Sequence, residues 1–484
     1  MKNLCLTLCL LALGVTMSNH QAHAAQDAWP PMPQPGPAPE FSPPSYVNFQ
    51  LSNGIPVTFI PAGKVPITHL QVNAYSGYAQ EDATKRGLAM FASRMPLEGT
   101  AERSGIEISE ALQTLASSIQ VYADLEYSAA ALNALDDKLD ATLAILADVL
   151  QEPAFNQADV DRVRKNLQNS IFTEKDNLRQ TADKVFRSVL FGDSYLGQWQ
   201  RGTHESIEGI TRDDLQKWHQ AVWQPKNIGI TIVSGMSEDV IKASLEKSLG
   251  AWESTSTPLA ELTLTPQTAH EGVKVYWVQK DGASQSVISI GNTAPAFDPA
   301  HSTATQVGNK VLGGQFTSRI NMNLREDKGY TYGARSGVTN QRLAGYYRAS
   351  ASVKANTTAL SIVEFLKELS QITNEKPITE QEFKNATSSM LQGFPAYFEK
   401  SSGILNRYAS VDAYKRPADW LQNYHTRVSG VAIKQAQSEL KALIDVKNLI
   451  VVVVGDWKIA GSDVAALNLG PVVYLDHNGN AVTP

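Results

Sequence analysis

The sequence predicts an α+β protein built from two tandem, similar α+β domains, each an antiparallel-rich sheet covered by helices. Three observations carry that expectation. Alternating strand-like segments and amphipathic helical segments succeed one another along most of the chain. A unit of helix, proline, polar turn and second helix occurs twice. A polar stretch, "ESTSTPLAELTLTPQTAHEG", separates the two occurrences.

Composition narrows the class. The chain has 484 residues, 43% apolar and 19% charged, enough for more than one domain with substantial cores. Net charge is −6 and no basic block is present, which argues against nucleic acid or an anionic membrane surface as partner. Lys2 precedes the apolar run "LCLTLCLLALGV", and Ala22-His23-Ala24 fits a small-x-small cleavage site. Residues 1–24 therefore read as a secretory signal peptide. A membrane anchor is the alternative, but the run is too short to span a bilayer comfortably. Cys5 and Cys9 both fall inside it, and neither sits in a lipoprotein cleavage box. The mature chain then has no disulfide, thiolate ligand or cysteine nucleophile, which suits a bacterial periplasm. No later segment approaches 18 continuous apolar residues, so no membrane span is expected.

Residues 25–45 are crowded with proline, which lacks a backbone donor and favours extended conformations. They form an arm or spacer, or else a strap around a partner. The first domain is expected over 46–255. It opens with a hairpin turning at Asn53-Gly54. Helical periodicity follows over 86–97 and 104–117, then strand alternation in "IQVYADLEYSAAAL". The helix of "LDDKLDATLAILADVLQEP" stops at Pro153, and a long helix runs from about Gln157 to Lys175. Thr211 caps the helix of "ITRDDLQKWHQAVW", with carboxylates in its first turn. "NIGITIVSG" reads as a buried strand. Residues 256–271 are the linker, and the second domain occupies 272–484. There "VKVYWVQ" and "QSVISIGNTAP" are strand-like, and "ALSIVEFLKELSQI" precedes "NEKPITEQEFKNATSSMLQGF". Pro153 and Pro377 stand at matching points of the two helical units, and Leu167-Gln168 and Leu391-Gln392 follow at the same distance. A period of about 200 residues is too long for a solenoid and implies two similar domains facing each other.

Several motifs in series resemble the pitrilysin-type (M16) zinc peptidase family: "NGIPVTFIP", "GLAMFASRMPLEGT", "THESIEGITRDDLQKWHQAVWQPKNIGITIVSG", "VLGGQFTSRINMNLREDKGYTYGARS" and Leu469-Gly470-Pro471-Val472. The resemblance covers nearly everything from residue 46 onward and implies half of a clamshell. In catalytic members H-x-x-E-H supplies two zinc-binding histidines and a glutamate base, and a second glutamate on another helix completes the site. Here Met90 and Arg94 stand at the histidine positions and Ser93 at the base. Counting 76 residues on from Arg94 reaches Ser170 at the glutamate ligand. A thioether suits this site poorly, a guanidinium stays protonated and repels a cation, and serine lacks a carboxylate's charge and basicity. Outside the signal, His69, His204, His219, His270, His301, His425 and His477 are scattered, with no pair at i, i+3 or i+4. No zinc is expected in this chain.

The second half points the other way. In "LREDKGYTYGARS", Arg325 and Tyr332 match the arginine–tyrosine pair that the family sets across the chamber from zinc. A cation and a phenol there can orient the substrate and stabilise charge building on its carbonyl oxygen. Tyr330 is a nearby competitor, at a position resembling an apolar one in the family. Gly313 and Gly314 lack the lysine and spacing of a phosphate loop and read as a flexible turn that could contact substrate. The resemblance thus implies a non-catalytic subunit, similar to that of mitochondrial processing peptidase. It would pair with a zinc-bearing M16 subunit, as a heterodimer or a pair of heterodimers, to cut enclosed peptides. The alternatives are a peptide-binding or assembly protein with no part in hydrolysis, and a stand-alone peptidase using other residues.

Overall fold

The computed structural model describes residues 40–194, 196–254, 256–263 and 271–483, together with Gly36. The expected signal peptide and most of the proline-rich arm lie outside the described residues.

The first half holds strands β1 (Val47–Gln50), β2 (Pro56–Pro61), β3 (Ile67–Ala74), β4 (Ser118–Ala123), β5 (Ser128–Leu135) and β6 (Ile228–Ser234). They form a sheet in the order β1-β2-β6-β3-β5-β4. Its helices are α1 (Leu88–Arg94), α2 (Gly105–Thr114), α3 (Leu139–Gln151), α4 (Gln157–Glu174), α5 (Leu178–Phe191), α6 (His204–Gly209), α7 (Arg212–Val222) and α8 (Glu238–Leu249). Local chemistry sets these limits. Gly54 takes φ +86°, which glycine adopts without a Cβ clash, and its N–H closes the hairpin on the Leu51 carbonyl at 2.9 Å. Thr211 caps α7, its hydroxyl accepting from the Asp214 N–H while the Asp214 carboxylate accepts from the Thr211 N–H at 2.9 Å. α3 ends two residues before Pro153.

The second half holds β7 (Lys274–Gln279), β8 (Gln285–Ala294), β9 (Thr331–Asn340), β10 (Gly345–Lys354), β11 (Ile450–Gly455) and β12 (Val472–Leu475). Its helices are α9 (Pro299–Leu312), α10 (Arg319–Asn321), α11 (Thr358–Thr373), α12 (Glu380–Gly393), α13 (Ser401–Ala413), α14 (Tyr424–Ser429), α15 (Ile433–Leu443) and α16 (Trp457–Ala465). Sheet order is β12-β7-β11-β8-β10-β9. Matching β2 through β6 to β7 through β11 in sequence gives the same order in both sheets, so the duplication is visible in the topology. Only the outermost strand differs. β1 comes before β2 and pairs with it antiparallel, whereas β12 arrives from the far end of the chain and pairs with β7 in parallel.

Each half lends a helix to the other. α5 packs on β8 and β11, so that Val185 and Phe186 share a core with Val287, Val452 and Val454 of the second sheet. α13 packs on β3 and β6, and Ile404, Leu405 and Tyr408 share a core with Ile60 and Val233 of the first. Each large side chain buried in this way contributes about 1.5–3 kcal/mol. A polar seam adds direction. Asp412 of α13 accepts from Asn73 Nδ2 and from the Tyr75 hydroxyl, both at 2.8 Å. The fully buried Glu126, in the β4–β5 turn, accepts from the Arg342 N–H at 2.8 Å and lies 3.3 Å from Arg342 Nε. Burial raises the Glu126 carboxyl pKa even so. Residues Glu40–Pro484 accordingly form one compact unit.

Candidate functional site

The helix of "GLAMFASR" is built with care at its start. Gly87 takes φ +93°, and a Cβ there would lie 2.7 Å from Ile207 Cδ1 and 2.8 Å from the Arg201 carbonyl. The buried Glu81 accepts from the N–H groups of Gly87 and Ala89 at 2.8 and 2.6 Å, satisfying two donors that the helix leaves free. Burial pushes its carboxyl up to about 8, although both bonds and the helix end favour the charged form. Sequence reading missed Glu81, because nothing in its spacing marks it as a cap six residues upstream.

α1 buries Leu88, Ala89, Phe91 and Ala92; Met90 is half-buried against the same core, and Arg94 is exposed. Ser93 is buried and its hydroxyl donates to the Met90 carbonyl at 2.8 Å. α4 lies alongside, with the Arg164 guanidinium 5.3 Å above the Phe91 ring. Ser170 on α4 donates to its own helix, to the Asn166 carbonyl at 3.0 Å. Both hydroxyls are thus spent on backbone, and Arg94 has no hydrogen-bond or ion-pair partner among the described residues. Nor do any three His, Cys, Asp or Glu side chains among them group to hold a metal. These residues do not fit a zinc ion.

Arg325 and Tyr332 are brought together by two local irregularities. After α10 the chain winds through a π-turn over Met322–Asp327, which carries Arg325 outward while Leu324 stays buried. Gly329, at φ +64°, reverses the chain into β9. There the pairing with β10 passes from Ala334↔Ala351 to Thr331↔Val353, so Tyr332 and Gly333 together oppose the single residue Ser352 and form a bulge. Bulges re-aim side chains, and Tyr332 is 89% exposed while Tyr330 is half-buried. Arg325 Nη1 donates to the Tyr332 carbonyl at 3.0 Å, its Nε lies 3.0 Å from Glu326, and its guanidinium rests 4.7 Å over the Phe316 ring.

Gly313 and Gly314 belong to the same neighbourhood. The Ser336 N–H of β9 donates to the Gly313 carbonyl at 3.0 Å, and a Cβ on Gly313 would stand 2.4 Å from that nitrogen. Close approach of two backbones therefore explains this glycine; Gly314, next in line, is exposed. Asn321 joins the parts, accepting from the Ala334 N–H at 3.1 Å and donating to the Phe316 carbonyl at 2.7 Å. Beside Tyr332 a cavity of about 530 Å³ opens on the face of β8, β9 and β10. No hydrogen bond or ion pair among the described residues links this region to Met90, Ser93, Arg94 or Ser170.

A duplicated α+β scaffold, with non-ligands along the helix that matches the family's zinc helix and an exposed arginine and tyrosine side by side in its other half, defines a peptidase-like chain with no zinc site among its described residues. Residues 64–198 match the family model described as Insulinase (Peptidase family M16), and residues 209–390 that described as Peptidase M16 inactive domain. Together they span more than half of the chain, which belongs to the M16 peptidase family. An uncharacterized zinc protease of Mycobacterium leprae is 23% identical over 74% of this chain and 82% of its own length. The non-peptidase homolog YmxG of Helicobacter pylori is 22% identical over 84% and 92%. Among solved structures, a peptidase M16 inactive domain from Pseudomonas fluorescens superimposes with a TM-score of 0.78 at 20% identity, covering 85% of this chain and 98% of that one. The periplasmic protease PqqL from Escherichia coli gives 0.73 at 14% identity, over 89% of this chain but only 50% of that one.

Proposed function

We propose that this chain is the non-catalytic subunit of a heteromeric periplasmic zinc metallopeptidase, exported through residues 1–24. The observation that carries the reading is the contrast between a zinc helix without ligands and an Arg325–Tyr332 pair presented by a π-turn and a bulge. The PqqL comparison supports it, since this chain spans half of a protein named as a protease; a second subunit takes the place of the other half. That partner, bearing H-x-x-E-H, supplies zinc and the base. Here the Arg325 guanidinium and the Tyr332 hydroxyl hold the substrate carbonyl and favour the charge that develops on its oxygen. Gly313 and Gly314 border the approach. β4, an edge strand of the first sheet, offers unpaired backbone groups to an extended peptide along Ile119 to Tyr122. The units of this design are residues 46–255 and 272–484, joined by 256–271.

The name of the Helicobacter pylori relative favours a second reading, a peptide-binding or assembly protein that takes no part in hydrolysis. Co-purification with a candidate zinc-motif partner separates the two, with metal content and peptide cleavage measured on the complex. Zinc and cleavage are expected in the complex and neither in this chain alone. Zinc-dependent cleavage by this chain alone would sink the leading reading.

A further inference from the structure

The cavity beside Tyr332 carries a charge pattern that the hydrolytic reading does not use. Arg179, Arg335 and Arg348 line it, and none of its lining residues is acidic. The three guanidinium groups follow β10 in step. Arg335 of β9 stands opposite Ser350, and Arg348 lies two positions from Ser350 on the same face. In the other direction Arg179, at the start of α5, donates from Nε to Ser352 Oγ at 3.0 Å. Arg348 has a counter-charge, an ion pair with Asp183 of α5. Arg179 and Arg335 have no carboxylate partner among the described residues. Like charges on neighbouring strand positions repel, and Asp183 offsets only that of Arg348, so an anion joining the groove relieves the repulsion that is left. It also runs against the chain's overall charge of −6. A groove that concentrates cations on an acidic protein attracts anions from solution.

We propose that this groove selects acidic side chains in the bound peptide, close to the bond being cut; the inference rests on the reading of the chamber as a peptide site. The spacing favours an extended peptide. Side chains two residues apart face the same way on a strand, and the arginine positions advance along β10 at Ser352, Ser350 and Arg348 with that period. β9 is the edge of its sheet, so an extended segment can lie beside it with alternate side chains over the cavity. A guanidinium fork matches a carboxylate bidentately, which makes aspartate and glutamate the fitting partners. Lysine and arginine in the same positions are repelled, and exclusion contributes to specificity as much as attraction.

Isothermal titration of the full chain with three decapeptides tests this: an alanine–aspartate repeat, the same peptide with asparagine, and the same with lysine. The aspartate peptide is expected to bind at least about tenfold more tightly than the asparagine one at low salt, with the gap closing as salt rises. Arg179→Glu combined with Arg335→Glu is expected to reverse the order, favouring the lysine peptide. Unchanged circular dichroism and Tm in that variant establish that it is folded, and the salt series on the unaltered chain needs no variant. Equal binding of the aspartate and asparagine peptides overturns the selectivity but leaves the peptide chamber standing. Failure of all three to bind overturns both.

Discussion

The α1 region and the Arg325–Tyr332 region are treated in opposite ways by the same chain. At α1 the frame is kept with costly detail: a left-handed Gly87, a buried Glu81 cap, and a packed face of Leu88, Phe91 and Ala92. What is missing is only the metal chemistry: Met90 packs against the core, Arg94 faces out and Ser93 serves its own helix. Around Tyr332 the regular frame is broken instead, by a π-turn and a bulge, and an exposed phenol results. Folding alone favours regular ladders, so irregularity kept beside exposed polar groups points to function, whereas regularity kept without ligands points to structure.

The largest effect that sharpens this contrast is on turnover in the partner complex. Arg325→Ala is expected to lower kcat by about 100-fold, and Tyr332→Phe by about tenfold, the size of losing one stabilising donor or a weaker one. Gel filtration should find the complex intact in both. Unchanged turnover in both variants would transfer the weight to the assembly reading. Next, Met90→His with Arg94→His puts two imidazoles at i and i+4 on one face of α1. Zinc retained through dialysis should rise, while the chain alone stays inactive because Ser93 is no base. No gain in zinc would mean that α1 no longer holds ligand geometry.

A smaller effect concerns the cap. Glu81 shifts from 4.5 to about 8 on folding, so the folded chain binds its proton more tightly than the unfolded chain. Its contribution is then fully present below pH 4.5 and is lost as pH rises toward 8. Glu81→Gln should flatten the fall of Tm across that window, and an equally steep fall in the variant would contradict the assignment. Smallest of all is the expected effect of cutting the linker. A protease site placed within residues 256–263 and cleaved should leave the two halves eluting together, because α5 and α13 are each anchored in the opposite half. Separation of the fragments would break the account of a single unit.

Much of this was legible in the sequence. Helix and strand order followed from periodicity, and the matched Pro153 and Pro377 units anticipated the repeated topology, since both depend on local pattern. The exchange of α5 and α13 was not legible, because an amphipathic stripe says that a helix is buried but not against which sheet. Nor was the substitution of β12 for β1, which pairs residues from distant parts of the chain. At the site, the resemblance to the M16 family is what marked Met90, Ser93, Arg94, Arg325 and Tyr332, position by position. The π-turn and bulge leave no periodic trace, and the arginine groove is assembled from α5, β9 and β10, so no single window of sequence contains it. Gly313 was noticed for its flexibility, and its contact with Ser336 adds a packing reason that only the fold supplies.

The exchanged helices also bear on how a chamber made with a second subunit could breathe. Each half holds a core helix of the other, so parting the two halves would expose the buried faces of α5 and α13 to water. If a second subunit completes the chamber as proposed, entry of a peptide is gated where the two subunits meet, and the rate of admission becomes tied to how often that contact loosens. On this reading, throughput depends on subunit concentration and association rate as well as on chemistry.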